Sequence, residues 1–234
     1  IWAINKQKID PVVPRSAAVA RAGAVLLRLE GGPPEGEPVA RLDRRHPKND
    51  DLGRRLVLQA GEVWIEQEDA AAICEGEEVT LLHWGNVVVA QARRDPQDGS
   101  VREMSGRLNP AGSVKDTKKK IHWVPRLDDR VTEVVLREFD HLVTKAKIED
   151  DDTLEGIINP CSVVDTSAIG DPLLKTLSRG DKLQLERRGY FIVDAPAFPP
   201  GRPMVLVKIP DGKSKDMSMT SKVDPSKLVG AQGK

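Results

Sequence analysis

Short runs of Val, Leu and Ile, bounded by Gly, Pro, Asn and Asp, recur through this chain at intervals of about ten residues. A run of that length fills one strand rather than a multi-turn helix, and the turn residues at its ends send the chain back on itself. Residues 24–29 form one such run and stop at Gly31-Gly32-Pro33-Pro34. Residues 55–59 and 62–66 flank Ala60-Gly61, and residues 78–82 and 86–92 flank the turn at His83-Trp84-Gly85-Asn86. Asp95-Pro96-Gln97-Asp98-Gly99 leads into residues 101–108, and residues 131–139, 182–186, 190–194 and 204–209 complete the set. Helix is a minor component, expected at residues 1–9, 68–73 and 173–177, while the charged residues 35–51 read as loop. Many short strands close as a sandwich or a barrel, and 234 residues are enough for two barrels. The expected class is therefore all-β (mainly β) with short helices.

Composition narrows what such a chain does. Lys plus Arg equals Asp plus Glu at 36 each, so any nucleic-acid partner must be held by a local patch rather than by a global field. No run of about 18 apolar residues is present, so no helical membrane span is expected. The chain opens on Ile1-Trp2, without an initiator Met or a leader sequence, and is expected to be a piece of a larger protein. Cys74 and Cys161 stand alone, and the default is two buried thiols in a reducing compartment. His46, His83, His122 and His141 lack metal-ligand spacing, and Glu149-Asp150-Asp151-Asp152 reads as a solvated acidic loop. There is no glycine-rich phosphate loop and no serine in an elbow context. Neither a catalytic residue nor a metal ligand is expected in this segment.

One stretch stands out. Lys118-Lys119-Lys120 runs directly into Ile121-His122-Trp123-Val124-Pro125. Lysines beside a ring that can stack are the minimum equipment for holding unpaired RNA. The same residues also suit a solvated edge with a core tryptophan, and the sequence leaves both readings open.

Longer motifs add a resemblance. Lys120-Ile121-His122-Trp123-Val124, Ile158-Asn159-Pro160 and Gln184-Leu185-Glu186-Arg187-Arg188-Gly189-Tyr190-Phe191 occur in that order. With His46-Pro47, Gly53-Arg54-Arg55 and Gly61-Glu62-Val63-Trp64-Ile65, they resemble the C-terminal anticodon-binding region of class I glutamyl- and glutaminyl-tRNA synthetases over nearly the whole chain. The opening residues 1–15, Leu142-Val143-Thr144-Lys145-Ala146-Lys147 and Ile209-Pro210-Asp211-Gly212-Lys213 are similar to the eukaryotic cytosolic glutamyl type.

The resemblance implies two stacked β-barrels, the distal one inserted in the proximal one. Residues 1–10 would end a helical linker from an upstream catalytic part, 11–24 and 122–212 would build the proximal barrel, 25–121 the distal barrel, and 213–234 a polar flexible tail. It implies tRNA(Glu) as partner, a cytoplasmic location, and ATP and magnesium used by the upstream part; other synthetases or scaffold proteins are further candidate partners, while DNA and membranes are not. Arg15, Lys48, Gln184 and Arg187 match anticodon-contacting positions of the glutaminyl enzymes. Lys118, Lys119, Lys120, His83 and Trp84 are further candidates for RNA backbone contact or stacking, with core packing the competing role for the rings. The pattern fails where glutaminyl enzymes carry arginines on the strand matching residues 79–82, because Thr80 and Leu82 stand there. The third anticodon base, C for glutamate and G for glutamine, gives a reason for that divergence.

Strand parity tests the site. Leu183 and Leu185 should face a core, which turns Gln184 outward and would send Arg187 inward unless the strand ends first. Arg187 and Arg188 could instead pair with nearby acids. Two other functions stay open: glutaminyl specificity, and a protein-docking module in a multi-synthetase complex.

Overall fold

The computed structural model describes residues 2–127, 130–145, 147–199 and 201–211; the tail expected over 213–234 lies outside them. Helix α1 (Trp2–Ile9) leads through a short 3₁₀ turn, Asp10–Val12, into two short strands, β1 (Arg15–Ser16) and β2 (Ala18–Ala20). Next come β3 (Val25–Glu30), β4 (Val39–Arg44), β5 (Arg54–Gln59), β6 (Glu62–Ile65) and helix α2 (Gln67–Ala72). Strands β7 (Glu78–Leu81), β8 (Gly85–Arg94), β9 (Val101–Asn109), β10 (Lys120–Ile121) and β11 (Val124–Pro125) follow. The last part holds β12 (Thr132–Phe139), α3 (Leu154–Ile157), β13 (Val163–Gly170), β14 (Lys182–Leu185), β15 (Gly189–Ala195) and β16 (Met204–Ile209).

The strands form two sheets and a ribbon. One sheet runs β1-β14-β15-β16-β12-β13-β2, the other β10-β7-β8-β9-β3-β6-β11, and β4 pairs only with β5. Each seven-stranded order begins and ends on two halves of one segment. β1 and β2 are separated by Ala17 alone, and β10 and β11 by His122 and Trp123. A sheet whose two edges belong to one continuous segment is curled into a barrel, which leaves no long free edge. The fold is mainly β, with two barrel-like sheets, as the strand spacing implied.

Each sheet encloses its own core. Leu27, Val63, Ile65, Val79, Leu81, Val87, Met104 and Ile121 fill one; Val134, Leu136, Leu183, Leu185, Phe191, Met204 and Leu206 fill the other. Period-2 burial explains both: β14 alternates Leu183 and Leu185 in the core with Gln184 half-buried. A third, small cluster of Ala17, Val19, Val124 and Ile169 joins the two closing segments, and His122 Nε2 lies 3.1 Å from the Ala18 carbonyl across it. The stretch 118–125 is thus where the two barrels are tied together.

Two expectations need correction. The loop assigned to residues 35–51 contains β4, whose residues are almost all exposed, so no buried alternation marks it. Cys74 is exposed and Cys161 half-buried, both free thiols, rather than two buried ones. Among the described residues no helix is long and apolar enough to cross a membrane, and no group of three or more His, Cys, Asp or Glu could hold a metal.

Candidate nucleic-acid interface

Three of the four anticodon candidates lie around one end of β1. Arg15 stands opposite Gln184 in the β1–β14 pairing, and Gln184 stands opposite Tyr190 in the β14–β15 pairing. Tyr190 Oη donates to Asp10 Oδ1 at 2.6 Å, and the Arg15 guanidinium reaches the same carboxylate at 3.6 Å. Those two contacts hold the Asp10 carboxyl below its ordinary value, the phenol bond acting most strongly, whereas burial and the anionic partner push the Tyr190 phenol up. The loop after β4 closes over this end. Arg15 N–H donates to the Arg45 carbonyl at 2.8 Å, and Asn49 Nδ2 donates to the Pro11 carbonyl at 2.7 Å. Lys48, exposed, is carried on that loop, its N–H donating 3.1 Å to Nδ1 of the buried His46. Gln184 Oε1 and Arg15 Nε are buried without a hydrogen-bond partner.

Arg187 is placed differently. Strand β14 ends at Leu185, and Arg187 takes a left-handed backbone conformation (φ 65°) in the turn before Gly189. Its guanidinium grips both oxygens of Asp69 on α2, with NH2 2.7 Å from Oδ1, and lies 3.4 Å from His122 Nδ1. Arg188 donates to Glu66, which also accepts from the Ala20 N–H. The arginines thus pair with acids of the other barrel, the competing role that the sequence left open.

The remaining candidates are also engaged inside the molecule. His83 bridges Asp43 and Glu186, each 2.5 Å from a ring nitrogen. Trp84 packs on Trp123 with ring centroids 4.9 Å apart. Lys119 binds Glu77 at 2.6 Å and the Ala72 carbonyl, and Lys120 bonds the Thr117 carbonyl, which leaves Lys118 as the exposed lysine of the three. Thr80 is buried, linked to Asn86 at 2.8 Å and Thr117 at 2.6 Å, so the strand that carries arginines in glutaminyl enzymes offers no base reader here.

Sequence reasoning missed Arg55, which is buried, donates 3.0 Å to the Arg15 carbonyl and pairs with Asp171 at 3.5 Å. A signal existed: Arg55 shares the inward parity of the buried Val57 on β5. Burial pushes the Asp171 carboxyl up against the pull of Arg55. Together with His83, Arg187 and Arg188 these groups make an ionic seam between the barrels.

The seam has a pH response. Burial works against a charged His83, but Glu186 and Asp43 outweigh it and raise its pKa. A raised histidine contributes stability fully below its ordinary 6.5 and loses it as pH rises through the folded value. In urea unfolding, His83→Asn is expected to be less stable than the parent at about pH 6, with the gap closing as pH rises above the ordinary histidine value and through the raised one. A gap that stays constant with pH would remove the charge from this role.

Two models described as class I (E and Q) tRNA synthetase anticodon-binding domains match residues 13–109 and 120–194. The chain belongs to that family. It is 44% identical over 214 residues to a cytoplasmic glutamate–tRNA ligase of Arabidopsis thaliana, covering 92% of this chain and 29% of the relative. The corresponding ligase of Saccharomyces cerevisiae is 39% identical over 215 residues, 92% of this chain and 29% of its own length. A bifunctional glutamate/proline–tRNA ligase of Mus musculus is 35% identical over 237 residues, 97% of this chain and 15% of that protein. This anticodon-binding chain therefore spans less than a third of the length of these relatives. The two matched ranges meet at the loop before β10, where the structure ties the barrels together.

Proposed function

We propose that this chain binds the anticodon loop of tRNA(Glu), selecting it for glutamylation by a catalytic part that lies outside the chain. ATP and magnesium belong to that part; no residue described above is assigned to them. The cytoplasmic glutamate–tRNA ligases among its relatives support this specificity and a cytoplasmic location. The observation that carries the reading is the pairing of Arg15 with Gln184 under the Lys48 loop. A guanidinium gives a fork of donors, and an amide gives both a donor and an acceptor. Side by side on a rigid strand pair, they can read the edge of an unstacked base while Lys48 takes the adjoining phosphate. Arg187 can join them only by giving up Asp69. Protein docking to other synthetases or scaffolds remains a second role, suggested only by the bifunctional relatives.

The test is anisotropy titration with anticodon stem-loops of tRNA(Glu) and tRNA(Gln). The glutamate stem-loop should bind the more tightly, and Arg15→Ala or Gln184→Ala should each weaken it by about 1–3 kcal/mol, the span of a good base contact. Equal affinity for both stem-loops would remove the glutamyl specificity. Unchanged affinity in both variants would move the site elsewhere.

A further inference from the structure

The ribbon of β4 and β5 is paired into neither barrel sheet, and its two faces differ. Arg55 and Val57 are buried, which makes theirs the inward parity, shared with Asp43 directly opposite Arg55. The other parity sets Arg44 opposite Arg54 and Leu42 opposite Leu56, all four exposed. Like charges directly across a strand pair repel and cost stability. Little in the protein offsets this pair. Asp43 is turned to the other face and held by His83 at 2.5 Å. Asp50 meets Arg44 at 3.2 Å, but its side chain is 68% exposed, and an ion pair in water contributes little. Arg54 has no acid within ion-pair distance among the described residues.

The charged end of the ribbon is also the end fastened to the base-reading pair. The Arg15 N–H donates to the Arg45 carbonyl at 2.8 Å, and Arg55 donates to the Arg15 carbonyl at 3.0 Å. Each strand is thus bonded to Arg15 one residue beyond its outward arginine. With successive Cα atoms 3.8 Å apart, Arg44 and Arg54 stand about 10 Å from Arg15. Arg45 Nε donates 3.0 Å to the Arg54 carbonyl and ties the two strands together at this point. The exposed Lys48 lies on the loop that joins them.

We infer that Arg44 and Arg54 clamp the phosphate backbone of the RNA beside the base read at Arg15 and Gln184. A guanidinium matches a phosphate with two parallel donors, and an anion between two opposed arginines removes their repulsion. The inference rests on the anticodon-binding reading given above. Leu42 and Leu56, 61% and 49% exposed, adjoin the clamp, but two leucines make too small an apolar patch to hold a protein by themselves.

The experiment compares the parent chain with Arg44→Gln/Arg54→Gln and with a control, Arg94→Gln/Arg107→Gln, which removes two exposed arginines from β8 and β9 instead. Each is titrated with the tRNA(Glu) anticodon stem-loop at several salt concentrations. Two lost phosphate contacts should flatten the slope of log K against log salt by about 1.4, which is roughly 25-fold in affinity at about 0.1 M salt, counted from about 1 M. The control should keep the parent's slope, and the ribbon variant should keep the parent's preference between glutamate and glutamine stem-loops. In urea unfolding the ribbon variant should be no less stable than the parent, because a like-charge pair has been removed. A parent-like slope in the ribbon variant overturns the clamp, and so does equal flattening in the control. A parent that sediments as a dimer, beside a monomeric ribbon variant with unchanged RNA binding, would assign this face to a second copy of the chain and overturn it too. Failure of the parent to bind the stem-loop overturns the anticodon-binding function and the clamp with it; a parent that binds beside an equally tight ribbon variant overturns the clamp alone.

Discussion

Trp123→Ala will destabilise the chain by about 3–5 kcal/mol, the cost of emptying a tryptophan-sized space in a packed interior. Trp123 is 6% exposed and belongs to the distal core with Leu81 and Ile121. Its Nε1 donates 2.8 Å to the Leu82 carbonyl, and its ring leans on Trp84 at 50°. Removing it therefore opens a cavity and also takes the indole donor from the half-buried Leu82 carbonyl. Because Trp123 sits between β10 and β11, the damage falls where the distal barrel closes and meets the proximal one. Urea unfolding measures the loss, and Trp123→Phe should recover part of it by refilling the space. The folded fraction of Trp123→Ala should keep its stem-loop affinity. A variant within about 1 kcal/mol of the parent that loses RNA would show the ring to be a stacking platform instead.

The basic stretch that announces itself in the sequence is thus mainly a structural joint, and the reason is geometric. A run of lysines beside a tryptophan looks alike in sequence whether the ring faces solvent or core. What decides is Leu82, Trp84 and Glu77, about 40 residues upstream, whose positions follow only from the pairing of β7 with β10. Local signals were enough where burial alternates: Leu183 and Leu185 point inward and leave Gln184 beside Arg15. They failed for β4, where Val39 and Leu42 stay exposed in a two-stranded ribbon, and for β13, whose polar middle Asp165-Thr166-Ser167 hides its strand character. The orientation of Arg187 was also beyond local reading. A turn with positive φ redirects it, and its partner Asp69 is separated from it by 118 positions.

That same seam carries the other large effect. Glu66 sits between the barrels, largely buried, accepting from the Arg188 guanidinium (Nε at 3.2 Å) and the Ala20 N–H, with His122 Nε2 at 3.3 Å. Burial alone would raise its pKa, yet the bonds to His122 and Arg188 win and bring it from 4.5 to about 2. A depressed carboxyl stabilises the fold above its unfolded value and loses that contribution as pH falls through the folded one. The window for Glu66 therefore runs from 4.5 down to about 2, and the shift corresponds to about 3 kcal/mol at neutral pH. Arg188→Met keeps the stem but removes one of the donors to the carboxylate, and should cost about 2 kcal/mol at pH 7, within the span for a hydrogen bond to a charged group, since the pair is half-buried and His122 and the Ala20 N–H still hold Glu66. At about pH 3 the gap should shrink to less than half, since the parent has by then lost most of what the pair supplies. The double variant Arg188→Met with Glu66→Gln separates charge from packing. Removing the acid as well should regain a large part of the loss, because no uncompensated charge stays buried. If the double variant is no more stable than Arg188→Met, and the gap does not move with pH, then Arg188 acts through the packing of its stem. Glu66 would not then be the electrostatic centre of the joint.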